Sequence, residues 1–373
     1  MGENGEDPRA LVLAGAVAKG AFEAGVTRAL ARNGIGFDRF VGASAGALNA
    51  TLLAAGAALG RFDDATELLE TLWRDQASIL NFARPTLAPL QGLSTTEGVE
   101  AIVLRALRTL FARGRPSQLE SIKLTIVTTD LRGAPYAGEL THEDDHHFFA
   151  EDFADELRWP VIARVAAASS AFPGLFVPPT LPDGGQRVDG GAVNNAPISY
   201  VIDKNADRNR IVVVSAEPNA RPEGGTLRGT RLLTRLVDIL VNERIGRDLV
   251  VAKEHNATLE LLEDAMERAA LSEAQRIVVR NALGWRHLDI LTVRPAHDLE
   301  GGAFGGLFWK PFRVRQIEEG KRAAHLALSG AIPKESPVDG AVRDVGGATK
   351  YVSVTARALG MFRRVSLDDQ IRR

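Results

Sequence analysis

The sequence predicts an α/β fold with three α/β/α layers around a mainly parallel central sheet, and three observations carry that prediction. Short apolar runs such as Ala10–Ala14, Ile211–Ser215 and Leu288–Val293 do not alternate with polar residues, as expected of strands covered on both faces. Stretches of helical periodicity lie between them. Small-residue turns lead from strand into helix, the rhythm of layered α/β architecture.

Taken in order, Ala10-Leu-Val-Leu-Ala14 forms the first strand, followed by a glycine-spaced turn and a helix through about Arg32. Phe37 to Val41 gives the second strand, which runs into a Ser44 turn and a helix from Leu48. Arg61 to Arg113 reads as mostly helical, interrupted by Pro85 and Pro89, and is a candidate cap over one end of the sheet. Leu124–Thr129 supplies another strand. Thr230 to Gly284 carries long amphipathic helices, with Leu233, Leu236, Val237, Leu240 and Val241 on one face. Core packing explains that stripe more simply than a partner groove. From Ser329 the chain turns Pro/Gly-rich and recovers order-forming residues at Tyr351–Thr355. The expected organisation is one domain over residues 1–328, including a cap-like segment at 61–113 and a helical segment at 230–284, with residues 329–373 as a C-terminal extension.

Composition narrows the function. The 373 residues hold 45 basic and 47 acidic side chains, a net charge of −2, which argues against a nucleic-acid partner. Cysteine is absent, so disulfides, thiolate metal sites and cysteine catalysis are excluded. The acidic, polar start Met1–Pro8 lacks the cationic region of a signal peptide, and Glu6 stands where a myristoylation signal wants Ser or Thr. The longest apolar stretch, Leu48–Leu59, is too short to span a bilayer. A cytoplasmic protein that meets membranes from the side is expected.

Three motifs carry chemistry. Gly42-Ala-Ser-Ala-Gly46 is a G-x-S-x-G pentapeptide between strand and helix, which makes Ser44 the candidate nucleophile. Gly42 and Gly46 let the backbone pack closely there, and the helix start turns free N–H groups toward the hydroxyl. A small-residue turn matching by chance is the plainer alternative. Gly15-Ala-Val-Ala-Lys-Gly20 opens the first helix and can present amides to an anion or oxyanion, although a helix-packing turn would read the same. It has neither the ending of a P-loop nor dinucleotide spacing. Asp189-Gly-Gly191 is a turn signal, or else a carboxylate whose loop Gly190 and Gly191 free to approach another element.

Together these residues resemble the patatin-like phospholipase family. The resemblance runs from about Leu11 to about Leu328 and rests on Ala18–Gly25, Gly42–Gly46, Asp189–Gly191 and the segment Ala167-Ala-Ser-Ser-Ala-Phe-Pro-Gly174, in the family's order. It implies a Ser–Asp dyad, with Ser44 as nucleophile and Asp189 as base, and an oxyanion hole from Gly15, Ala16, Val17, Lys19 and Gly20. The implied reaction is hydrolysis of a lipid or phospholipid acyl ester through an acyl-enzyme, with no metal or organic cofactor. A free aspartate near pKa 3.9 is a poor base for serine, so the site must desolvate it.

The chain departs from the family where three glycines and an arginine are usual: here stand Gly15-Ala16-Val17 and Lys19. A β-branched Val17 disfavours φ > 0, and lysine lacks the bidentate fork of arginine. The amides of Ala16 and Val17 are the expected donors. A catalytically weakened relative that binds lipid or a partner, and an acyltransferase using the same dyad, are the alternatives.

A Ser-His-Asp triad would need one of His255, His287, His297 or His325, none of which sits in a catalytic-looking turn. His142, His146 and His147 lie among Glu143, Asp144 and Asp145, and read as a solvated acidic loop rather than a metal site. Gly301–Phe312 joins glycines to Phe304, Phe308, Trp309 and Phe312. Phe308 and Trp309 are candidate lipid contacts, since Trp beside Lys suits a membrane interface. A loop tucking its aromatics into the core is the other reading.

Overall fold

The first strand, β1 (Arg9–Leu13), divides its side chains between two cores. Leu11 and Leu13 pack on one face with the larger core, while Ala10 and Val12 pack on the other with Val41, Ile211 and Val213. Burial on both faces explains the unbroken apolar run. A computed structural model describes residues 9–330 apart from 17, 87–91, 115, 117, 137, 204–205, 207, 219–229, 285 and 303, without the side chains of 230–238 and 240–245. The side chains of the Leu233–Val241 stripe and the whole Tyr351–Thr355 run therefore lie outside what is described.

From β1 the chain continues through α1 (Gly20–Arg32), β2 (Arg39–Ala43), α2 (Ala45–Ala58) and α3 (Phe62–Thr71), which runs into a π-helical turn at Leu72–Gln76. Then come α4 (Ile79–Phe82), the two-residue strands β3 (Arg84–Pro85) and β4 (Ser94–Thr95), and α5 (Glu97–Ala112). A long hairpin of β5 (Lys123–Tyr136) and β6 (Glu139–Phe149) leads to α6 (Ala150–Ala154), α7 (Trp159–Ser169), β7 (Arg187–Val188) and β8 (Arg208–Val214). The rest is α8 (Thr230–Arg268), α9 (Glu273–Leu283), β9 (His287–Val293), α10 (Gly305–Phe308) and α11 (Lys310–Leu328).

The main sheet has the order β6-β5-β2-β1-β8-β9, with β7 also paired to β5. The pairs β1–β2, β1–β8, β2–β5 and β8–β9 are parallel, whereas β6 and β7 run antiparallel to β5. Every residue of α2 is buried, because this Ala/Leu helix is apolar all round and sits between the sheet and the helices beside it. Leu69, Val99, Leu107 and Ile162 join α3, α5 and α7 to that layer. The opposite face is thinner, covered by Ile198, Val201, Leu249 and Ala252.

Two expectations change. The His142–His147 run is not a loop but the edge strand β6, paired to β5 from Lys123↔Phe149 through Thr129↔Glu143. An edge strand takes charge readily because one side meets water, so it lacks the apolar pattern of its neighbours. The Arg61–Arg113 segment is not solely a cap: α3 and α5 contribute to the helical layer, and Trp73 and Phe82 between them reach the cleft described next.

Candidate active site

Ser44 joins β2 to α2 with no spacer residue. It adopts φ 55°, ψ −129°, a backbone region that costs a non-glycine residue about 1–3 kcal/mol. A Cβ on Gly42 would stand 2.4 Å from Gly46 O, and one on Gly46 would stand 2.2 Å from Leu13 O. The elbow closes against itself and against β1 only because both positions are bare. The Ser44 N–H donates to Ser169 Oγ at 3.0 Å, and Ser169 Oγ donates to Val127 O at 2.6 Å. The last residue of α7 thus ties the elbow to β5.

Ser44 Oγ donates to Asp189 Oδ2 at 2.6 Å across 145 residues of chain. Asp189 Oδ1 accepts from the Gly191 N–H at 2.8 Å. The Asp189 backbone is held as well: its N–H donates to Ala171 O at 3.1 Å, and its carbonyl accepts from Thr129 Oγ1 at 2.7 Å. Gly190 sits so close to β5 that a Cβ would meet Val127 O at 1.9 Å. Burial pushes the Asp189 carboxyl up to about 6, against the opposing pull of the Ser44 hydroxyl and the Gly191 amide. A carboxylate so placed is ionised near neutral pH yet far more basic than a free aspartate.

Arg187, two residues earlier, is buried and bridges Asp130 at 3.1 Å, Asp144 at 2.7 Å and Asp183 at 2.8 Å. His146 meets Asp144 at 3.0 Å. The acidic and histidine-rich strand therefore anchors the segment that carries Asp189.

The Gly15–Gly20 loop passes directly beside the serine: a Cβ on Gly15 would lie 3.0 Å from Ser44 Cβ and 2.0 Å from Asn195 Oδ1. The Gly15 N–H donates to Asn195 O at 3.0 Å, and Asn195 Nδ2 donates to Gly15 O at 3.1 Å. The Lys19 N–H donates to Ala16 O at 2.8 Å, and its ammonium pairs with Glu217 beyond β8. Gly15 and Lys19 thus depart from their expected place as oxyanion donors, because their polar groups hold the loop itself. Gly20 makes room for an indole, since a Cβ there would stand 2.2 Å from Trp73 Cζ2. The Ala16 N–H has no acceptor among the described residues. Val17 lies outside the described residues.

Ser44 and Asp189 open into a cleft walled by Leu48, Trp73, Phe172, Leu175, Phe176 and Phe304 among others. Phe172 and Phe304 meet edge to face at 5.7 Å. Leu307 also lines the cleft, while Phe308 and Trp309 next to it are 69% and 62% exposed. The aromatic run therefore splits between wall and surface.

Residues 11–202, just over half the chain, match the family model for patatin-like phospholipase. The chain belongs to the patatin-like phospholipase family. Among solved structures it is similar to VipD from Legionella pneumophila, with 15% identity, a TM-score of 0.40 and coverage of 87% of this chain and 67% of that one. It is also similar to the heterodimeric complex ExoU–SpcU from the type III secretion system of Pseudomonas aeruginosa, with 17% identity, a TM-score of 0.37 and coverage of 87% and 52%. The chain thus spans about two thirds and about half of those two chains. Membership supports lipid hydrolysis as the general activity.

In this patatin-like chain no histidine bonds to Ser44 or Asp189 among the described residues. His255 Nε2 lies 2.8 Å from Arg286 O, His287 lies 3.2 Å from Asp289, and His297 and His325 are exposed. Sequence reasoning missed Ser169, Asn195, Thr129 and Glu217 as supports of the site. Ser169 stands in the Ala167–Gly174 segment already singled out, yet nothing local separates it from Ser170, whose hydroxyl caps Ala167 O. Asn195 carries a hint: it closes the Asp189-Gly-Gly-Ala-Val-Asn-Asn run, where a polar pair is otherwise unexplained. Glu217 has no local signal, being 198 residues from Lys19.

Proposed function

We propose that this chain is a serine acyl hydrolase that cleaves carboxylic ester bonds of lipids, phospholipids among them, through Ser44 and Asp189. The observation that carries the reading is the 2.6 Å bond from Ser44 Oγ to a buried Asp189 carboxylate at the floor of an apolar cleft. In the first half-reaction Asp189 Oδ2 takes the Ser44 proton as Oγ bonds to the ester carbonyl carbon. The tetrahedral oxyanion collapses, the bond to the alcohol oxygen breaks, and Asp189 returns the proton to that oxygen. Water then gives its proton to Asp189 and attacks the acyl carbon, releasing the fatty acid and restoring the serine hydroxyl.

The Ala16 amide, with Val17 next to it, is the proposed oxyanion donor, because Gly15 and Lys19 are engaged elsewhere. The elbow strain supports the same role for Ser44, since backbone strain concentrates where a side chain must be aimed. We read residues 1–328 as one catalytic unit, with α11 packed on the same helical layer through Ile317 and Ala324, and 329–373 as an extension. No helix among the described residues is long and apolar enough to cross a membrane. Contact with lipid from the side, through Phe308 and Trp309 at the cleft mouth, fits their exposure.

The test is hydrolysis of short- and long-chain acyl esters and of phospholipids by purified protein beside Ser44→Ala. Fatty acid release that vanishes in the variant supports the proposal. Turnover no greater than that of the variant on every substrate would favour a lipid-binding relative without catalysis, and alcohol-dependent acyl transfer in place of hydrolysis would favour a transferase.

A further inference from the structure

The loop after β1 has a third support besides Asn195 and Glu217, and it comes from the far end of the chain. On α10 the Gly306 backbone lies against Ala18 O, so closely that a Cβ there would stand 2.5 Å from that oxygen. With four residues α10 is too short to hold its own shape. Its place is set from α11. Arg313 Nη1 donates to Gly306 O at 2.7 Å, and Nη2 donates to Arg74 O in the π-helical turn at 3.4 Å. One turn on, Gln316 Nε2 donates to Glu300 O at 3.1 Å.

A guanidinium placed this way is costly. Arg313 is 4% exposed, its Nε has no partner, and no carboxylate stands within ion-pair distance of it among the described residues. Asp75, the acidic group nearest in effect, pairs with Lys310 at 2.6 Å. An aliphatic side chain of similar length would fill the same space without the buried charge. What the guanidinium adds is a fork that joins two backbone carbonyls. The helix that carries it is a fixed post. A Cβ on Gly25 would meet Ile317 O at 2.0 Å and one on Gly320 would meet Phe22 O at 2.1 Å, so α11 lies backbone to backbone on α1. α1 is the helix into which the Gly15–Gly20 loop runs.

We propose that Arg313 is a positioning residue for the oxyanion: it clamps α10 onto Ala18 O and so fixes the loop that presents the Ala16 amide. This rests on the hydrolase reading above and deepens it by adding a support of the same site. Both half-reactions pass through a tetrahedral oxyanion, so a loop that drifts slows both. kcat then falls while KM for a small ester stays nearly constant. The clamp is separate from lipid contact, because Phe308 and Trp309 on the same segment point to the surface.

The experiment measures kcat and KM for p-nitrophenyl acetate on the full chain, Arg313→Met, Arg313→Lys and Gly306→Ala, with thermal melts. Arg313→Met keeps the apolar stem and removes the buried charge, so its melting point stays within a few degrees of the parent's. Its kcat falls about 10- to 100-fold, and KM changes by less than about threefold. Arg313→Lys recovers only part of that loss, since one ammonium cannot span both carbonyls. Gly306→Ala drives a methyl at Ala18 O and lowers kcat with the clamp still present. A kcat in Arg313→Met within about twofold of the parent's, a loss no larger than its unfolded fraction, or full recovery in Arg313→Lys would overturn the proposal. A readout independent of turnover is amide hydrogen exchange of residues 14–20 in Ser44→Ala and in Ser44→Ala/Arg313→Met. Faster exchange in the double variant supports the clamp even if no ester is ever hydrolysed and the hydrolase reading fails. Unchanged exchange rejects it whatever the assays give.

Discussion

β1 and β2 are adjacent parallel strands, and both end in turns that enter helices beside the site, yet the two turns are made by different means. After β2 the chain passes into α2 through a single strained residue, and carbonyl oxygens of Gly46 and Leu13 leave no space for a side chain at Gly42 or Gly46. After β1 a longer loop relaxes around hydrogen bonds from Asn195 and the Lys19–Glu217 pair. The elbow is therefore enforced by backbone sterics at both of its glycines, whereas the loop after β1 is bare only at its ends, Gly15 and Gly20, and is held between them by polar contacts that a sequence can exchange. That difference accounts for a pentapeptide in standard form beside a loop that reads Gly-Ala-Val where three glycines are usual.

Breaking the nucleophile side should give the largest effects. Asp189→Asn is expected to lower kcat for ester hydrolysis by about 1000- to 10,000-fold, as with loss of the partner group in other serine hydrolases. The same variant should be more stable than the parent at pH 7. Burial raises the Asp189 pKa to about 6, well above that of a free aspartate, so between these values the folded state binds more protons than the unfolded one. Stability therefore falls as pH rises through that window, by an amount on the order of 2–3 kcal/mol, and the neutral amide escapes the loss. Thermal melts of both proteins at pH 4 and pH 7 measure it, and converging midpoints at pH 4 are expected.

Gly46→Ala comes next. Its Cβ must displace Leu13 O, for an expected loss of about 1–3 kcal/mol and most of the activity, read by melting and by turnover in the folded fraction. On the loop side, Asn195→Ala removes the clamp on Gly15 while leaving the elbow intact, and a drop of about 10- to 100-fold in kcat with KM little changed is expected. Smallest is Trp309→Ala. Short soluble esters should turn over normally, while binding to phospholipid vesicles in a sedimentation assay weakens severalfold, as loss of one exposed interfacial aromatic predicts.

The same contrast explains what the sequence made legible. Strands buried on both faces announce themselves by unbroken apolar runs, so β1, β2, β8 and β9 were readable to within two or three residues. β6 was not, because an edge strand facing water carries Glu, Asp and His that read as a loop. Ser44 and Asp189 were readable because each sits in a turn whose glycines are sterically required nearby. The supports were not, since Ser169, Asn195 and Trp73 are ordinary residues whose roles arise from contacts made only after folding. Lys19 shows the limit most sharply: in the sequence it stands only as a lysine where the family usually has arginine, and the fold pairs it with Glu217.

Reaction with a fluorophosphonate tests most directly whether Ser44 is a nucleophile activated by an aspartate without a histidine. The rate of labelling, with the adduct mapped by peptide mass spectrometry, is measured against pH for the parent chain and for Asp189→Asn. The predicted result is one adduct on Ser44, forming at a rate that rises with pH through about 6 and falls more than 100-fold in the variant. An adduct at another residue, or labelling of Asp189→Asn as fast as that of the parent, would contradict it.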